Sequence, residues 1–411
     1  MKLHALDPLL YPPEEDILHS ENKFIKHFYE LIGQSIEPPY AVSIDGVWGS
    51  GKTTVMKTLE KELQASSYPT FWFNPWEYRQ TQNVVLAFLQ CLAGTYKDIL
   101  KEMKNSTTKI FRVLLEAGMD AGLKMVTSGT LNLKDIQDTL KGIEDKQLPS
   151  YERYQNTIET IKSEFGGLVR HISQKHKNRP VIIFFDDLDR CLPEDAIQLL
   201  EALKNLFVTR GCNAIFICGI DSHVAKQFIK EHYKGIEEDF SINYFRKIFN
   251  LTISMPHNSD IYSLLLNHIK ELFDWDDPQD RKSKPLAEMI ESVGRQAQIY
   301  SARKYLNIVD NFHVFLTFNP DYRLNLKEDF IVYLLILKEA WQPIFEDLIK
   351  SAFNKRSDNM EKLVYDLIVD YRKTDSISFK QRRFLSGRLG TKSKFAQEFL
   401  YKWLTSYPTL S

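Results

Sequence analysis

The sequence predicts an α/β protein, a parallel β-sheet with helices on both faces, followed by an all-helical C-terminal part. Three observations predict it. Short β-branched or wholly apolar runs alternate with stretches of helical spacing as far as Pro256. One such run, "YAVSID" (Tyr40–Asp45), leads through the glycine-rich stretch "GVWGSGKTT" into a segment of helical period. After Pro256 the strand signals stop, and nearly everything to Ser411 reads as helix. The 411 residues are enough for two or three domains. The expected division is an N-terminal segment (1–39) packing on the core, a core (40–256), and a C-terminal helical part (257–411).

Within the core, "PTFWFNPW" (Pro69–Trp76) reads as the second strand, ended by Asn74-Pro75, and "VVLAFLQCLAGTYKDIL" (Val84–Leu100) as one helix. Between about 101 and 150 the hydrophobics thin and Gly, Ser and Thr accumulate, which predicts an insertion, part helical and part mobile. "ERYQNTIETIKSEFGGLVRHI" returns to helical spacing and leads to "RPVIIFFDDLD". There Val181–Phe185 is apolar without alternation, as a strand buried on both faces must be. "PEDAIQLLEALKNLF" follows as a helix, with Pro193 at its start and Glu194 and Asp195 in its first turn. "NAIFICGID" is the fourth strand, a helix runs near His223–Glu231, and "FNLTISMP" (Phe249–Pro256) is the fifth strand. No internal repeat is evident.

A hydrophobic fraction of 43% and a charged fraction of 26% are those of an ordinary globular protein. The net charge of -1 gives no global pull toward nucleic acid or anionic membrane. Cys91, Cys191, Cys212 and Cys218 form neither a C-x-x-C pair nor a zinc pattern, so they are expected to be reduced and buried in a cytoplasmic protein. The opening "MKLHALDPLLYPPEED" lacks the features of a signal peptide. Apolar runs such as "FIVYLLIL" fall far below the ~18 residues of a membrane span, so no transmembrane segment is expected.

Chemistry is expected at two places. Gly46, Gly51, Lys52 and Thr53 satisfy G-x-x-x-x-G-K-[ST] between a strand and a helix, the context of a loop that cradles phosphates. Glycines let the backbone approach the anion, and amides at a helix N-terminus donate to it. The candidate nucleotide-binding set is Gly46, Trp48, Gly49, Ser50, Gly51, Lys52, Thr53 and Thr54. Lys52 would reach the β- and γ-phosphates, and the Thr53 hydroxyl would hold Mg²⁺. The second place is "VIIFFDDLDRCLPED", an apolar strand that delivers two carboxylates to the C-terminal edge of the sheet. Asp186 is assigned to Mg²⁺ and Asp187 to the attacking water. Arg190 has two readings, a charge donor toward a γ-phosphate or an ion-pair partner of Asp189. Asp221 also has two, a contact to the nucleophile or γ-phosphate, or a helix N-cap. No Ser-His-Asp constellation, metal cluster or H-E-x-x-H pattern is present.

"GVWGSGKTT", "FWFNPWEYRQTQNVVLAFL", "FFDDLDRCLPEDAIQLLEALK", "FICGIDSHVAKQF" and "YFRKIFNLTISMP", in this order, resemble the KAP family of P-loop NTPases. The later "IYSARKYLNIVDNF" is similar to the family's following helical motif, and the likeness spans roughly Asp16 to Phe312. It implies an additional-strand P-loop ATPase core with a helical lid, using ATP and Mg²⁺ as a switch in bacterial antiviral defence or signalling. It further implies self-association and output through a protein partner. Asn74, Trp76 and Glu77 fall at the family's aromatic hallmark, core packing being the reading favoured for Trp76. The resemblance places Arg246 with Lys247, and Arg303, where basic residues would meet a γ-phosphate; a surface salt bridge is the alternative for each. "PEEDILHSENKF" would lie against the adenine. Many family members carry transmembrane helices, but here "FRVLLEAGMDAGLKMV" is broken by Arg112, Glu116, Asp120 and Lys124, so at most peripheral membrane association is left open. Finally, Tyr371–Phe395 holds eight basic residues (Arg372, Lys373, Lys380, Arg382, Arg383, Arg388, Lys392, Lys394) against Asp375 alone. That surface leaves open a second reading, a nucleic-acid-stimulated motor or clamp.

Overall fold

The computed structural model describes residues 20–78, 83–103, 108–116, 150–233, 238–255, 261–273, 281–318, 330–343 and 345–346. The chain divides into two compact units, one built mainly on Asn22–Pro256 and the other on His257–Ser411.

In the first unit, α1 (Ser20–Gln34) precedes β1 (Tyr40–Asp45) and α2 (Lys52–Ala65). Next come β2 (Thr70–Phe73), α3 (Val84–Thr95), α4 (Lys97–Glu102), α5 (Lys109–Glu116) and the long α6 (Ser150–Lys175). The unit continues with β3 (Val181–Phe185), α7 (Pro193–Ala202), β4 (Ala214–Ile220), α8 (Ser222–His232), α9 (Glu238–Ile248) and β5 (Leu251–Ser254). All strand pairs are parallel, in the order β2-β3-β4-β1-β5. Thus β4 lies between the strand that feeds the glycine loop and the strand that ends in acids, which is the additional-strand arrangement expected.

The register explains the unbroken apolar runs. Every residue of β3 and β4 is buried, because both faces of the central strands are covered. On one face Val181, Ile183, Phe185, Phe216 and Cys218 join Phe88 of α3, Phe165 of α6 and Phe207. Ring centroids there lie 5.1 Å apart for Phe88–Phe185 and 4.7 Å for Phe165–Phe207. On the other face Val42, Ile44, Ile182, Phe184, Ile215 and Ile217 meet Ile25, Phe28 and Ile32 of α1 and Val55, Met56, Leu59 and Leu63 of α2. At about 1.5–3 kcal/mol per fully buried side chain, those last four residues fasten α2, and with it the glycine loop, to the sheet. The outer strands β2 and β5 alternate in burial instead.

Two helices differ from expectation. The segment from Val84 to Leu100 forms two helices broken at Tyr96, which leaves helical geometry at φ -107° and ψ 28°. Gly94 weakens the helix just before the break, and the Tyr96 hydroxyl donates to the Thr70 carbonyl at 3.0 Å. "PEDAIQLLEALKNLF" ends in a π-helical turn, Leu203–Phe207, that delivers Phe207 to the aromatic cluster. Of the expected insertion, α5 is helical, while 104–107 and 117–149 lie outside the described residues. So do the Tyr371–Phe395 basic segment and the first nineteen residues.

The second unit is helical where described: α10 (Ile261–Phe273), α11 (Ser283–Gln296), α12 (Ala302–Phe318) and α13 (Phe330–Ala340). Its own core includes Leu265, Ile269, Leu286, Ile290, Val309 and Phe312. No described helix is long and apolar enough to cross a membrane.

Candidate functional site

The loop between β1 and α2 is built for an anion. Gly49 and Gly51 hold φ of 78° and 92°, left-handed values that a side chain would resist. A Cβ on Gly46 would stand 2.5 Å from Ser50 Oγ and 2.8 Å from Met255 Cγ, so only glycine fits there. Gly51 occupies the N-cap of α2 without a side-chain cap, and the first turn holds no acid. The opening amides of α2, those of Lys52, Thr53 and Thr54, are therefore left for a ligand, at the positive end of the helix dipole. The Thr54 carbonyl accepts from the Thr58 hydroxyl at 2.9 Å, one turn on. Ser50 Oγ is buried and makes no hydrogen bond.

Lys52 is buried, and its ammonium donates to the carbonyls of Gly46 at 2.7 Å and Val47 at 3.4 Å. It also pairs with Asp189 Oδ2 at 3.4 Å. The Thr53 side chain stands near enough to Asp186 to favour its charged form, which sets the loop beside the tip of β3. Asp186 is 3% exposed, and its Oδ1 is buried with no partner. Burial, and secondarily the charge of Asp187, push its carboxyl up to about 6. A carboxylate with an unpaired buried oxygen beside a threonine hydroxyl is a donor set that suits a small divalent cation completed by phosphate and water. Among the described residues no cluster of three or more His, Cys, Asp or Glu side chains could hold a metal alone.

Asp187 takes a left-handed φ of 56° at the start of the Leu188–Arg190 turn. Asn74 Nδ2 reaches it at 3.5 Å, and Arg190 Nε pairs with it at 3.0 Å. Desolvation raises its pKa, with Arg190 opposing. Arg190 also lies over the Trp48 ring, 5.7 Å from the centroid.

The structure thus brings the Gly46–Thr54 loop together with Asp186 and Asp187. Trp48 is 61% exposed on the loop. Arg190 pairs with Asp187 rather than with Asp189, a correction with a plain cause: the turn Leu188–Arg190 is 3-10, which places Arg190 three residues on, back over Asp187. Asp221 is the N-cap of α8, accepting from the amides of His223 and Val224. Trp76 is only partly buried, and the buried residue of its turn is Pro75. Arg246 and Lys247 are exposed in the last turn of α9, and among the described residues no hydrogen bond joins Arg246 to the loop. Arg303 lies in the first turn of α12, in the other unit.

Sequence reading missed Asp189 as the partner of Lys52, and Asp45. Asp45 ends β1, and its carboxylate accepts from the Ser222 amide and hydroxyl, both at 2.8 Å, tying the base of the loop to α8. For Asp189 the only signal was a third acid beside the pair. For Asp45 there was none.

The KAP family P-loop domain matches residues 21–319, well over half of the chain. No curated protein sequence matches the chain. Among solved structures it is similar to the ORC2 protein of Aeropyrum pernix, in ADPNP–ADP complexes, at 13% identity and a TM-score of 0.38, covering 98% of this chain and 89% of that one. Cdc6p from Pyrobaculum aerophilum gives 12% and 0.37, covering 98% and 90%. A mutant form of Thermotoga maritima RuvB gives 11% and 0.30, covering 96% and 88%.

Proposed function

The chain belongs to the KAP family of P-loop domains, and from that premise we propose that it binds ATP with Mg²⁺ at the β1–α2 loop and hydrolyses it as a conformational switch. Its state would be passed to further copies and to a protein partner, in bacterial defence or signalling. The observation that carries the reading is the tip of β3 beside the anion loop: Thr53 and Lys52 both act on Asp186, whose buried Oδ1 has no partner.

In this reading the loop amides and Lys52 bind and orient the terminal phosphates. Thr53 and Asp186 would hold the cation, which supplies charge neutralisation of the phosphates. Asp187, at hydrogen-bond reach of Asn74, accepts a proton from the attacking water and aims it. Its desolvated carboxylate is the more basic for its burial. Arg246 and Arg303 are proposed as further charge donors, each checked by its alanine variant in the assay below.

The test is steady-state nucleotide hydrolysis by purified protein, with and without Mg²⁺, DNA or RNA, beside Asp187→Asn. Magnesium-dependent turnover is expected, reduced by roughly a hundredfold or more in Asp187→Asn, with binding retained. Asp187→Asn turning over at the wild-type rate contradicts the assignment. Stimulation by nucleic acid with a steep salt dependence would favour the motor reading through Arg372–Lys394.

A further inference from the structure

Two of the three residues after Asp187 pair with the groups proposed to act on nucleotide. Asp189 holds Lys52, and Arg190 holds Asp187. The Lys52–Asp189 pair is the more enclosed, with side chains 8% and 7% exposed. We infer that Asp189 is the resting counter-ion of Lys52, standing in the free protein for the terminal phosphates, so that nucleotide binding is an exchange of one anion for another. The inference rests on the nucleotide reading above and adds a positioning residue to it.

The geometry supports exchange rather than permanent pairing. The ammonium has three protons, and the shortest of its contacts is the Gly46 carbonyl, inside the loop itself. The 3.4 Å contact to Asp189 is long for a charge-assisted bond. Lys52 is therefore held at the loop by one strong bond and balanced by one looser carboxylate. Removing Lys52 from water without an anion would be costly, and Asp189 answers that cost while the loop is without phosphate. Once phosphate oxygens arrive, their charge and closer approach displace the carboxylate. The two roles open to Asp189 separate cleanly: a counter-ion opposes binding, whereas a cation or phosphate ligand would favour it.

The experiment measures equilibrium affinity for a non-hydrolysable ATP analogue with Mg²⁺, and the melting temperature of the free protein. The proteins are wild type, Asp189→Asn, Asp189→Glu and the through-space control Glu194→Gln. Asp189→Asn should bind the analogue about five- to tenfold more tightly while the free protein melts at lower temperature. Asp189→Glu, which keeps the charge, should stay within about twofold of wild type in affinity and close to it in melting temperature. Glu194→Gln removes an exposed acid and should change affinity less than about twofold, because salt screens it. Combined with Lys52→Ala, Asp189→Asn should no longer lower the melting temperature, since its partner is gone. If Asp189→Asn does not fold, Asp189→Ser carries the same expectations. Unchanged or weakened binding in the uncharged variant, with wild type binding normally, overturns the inference and leaves the nucleotide reading standing. Wild type failing to bind the analogue overturns that reading instead.

Discussion

Asp186 is subject to opposed demands. Its carboxylate must be charged to hold a cation, yet burial and its neighbour Asp187 favour the protonated form and raise its carboxyl to about 6. A group with a folded pKa above its unfolded value binds more protons when folded, so stability falls as pH rises through the interval from about 4 to about 6. Above that interval the buried charge costs the metal-free protein on the order of 2–3 kcal/mol. Asp186→Asn should therefore melt several degrees higher than wild type at about pH 7.5 in chelator, with the gain shrinking to nothing near pH 4. Calorimetry at both pH values checks this, and a variant less stable at the higher pH would show that the carboxylate is already compensated. Desolvation raises the neighbouring Asp187 as well, but Arg190 and Asn74 face its carboxylate and oppose the shift.

Elements set how closely these residues meet. The strand β4 lies between β1 and β3, and at its tip Gly219 gives Asp186 room: a Cβ there would stand 3.0 Å from Asp186 Oδ1 and 2.7 Å from Met56 Sδ. Met56 is a flexible side chain and can shift, whereas the Asp186 carboxylate is short and buried. Gly219→Ala should cost about 1–2 kcal/mol in stability. It should also weaken magnesium-dependent nucleotide binding about tenfold and leave magnesium-free binding nearly unchanged, as titrations with and without chelator would reveal. An unaltered magnesium dependence would place the cation elsewhere. The strands and the glycine loop were legible in the sequence because burial on both faces leaves no polar position in "VIIFF" or "AIFICGI". The break at Tyr96 was not legible, since it depends on a hydroxyl finding Thr70 across 26 positions. Nor was the Lys52–Asp189 pair, which closes only when the sheet brings together residues 137 apart.

At the scale of the whole molecule, the α/β unit and the helical unit each have their own core. The phosphate loop belongs to the first, in which α2 is anchored by Val55, Met56, Leu59 and Leu63 while its opening turn carries no cap of its own. An anchored helix with an uncapped start is preorganised to receive an anion without rearrangement of the sheet. The loop motif was legible from its spacing together with the strand before it and the helix after it. The most direct measurement is equilibrium binding of Mg²⁺–ATP by calorimetry to wild type and to Lys52→Ala. Saturable binding by wild type, weakened at least about a hundredfold in Lys52→Ala, is the predicted result. Equal affinity in the two proteins would contradict the claim that this loop and the β3 carboxylates share one triphosphate.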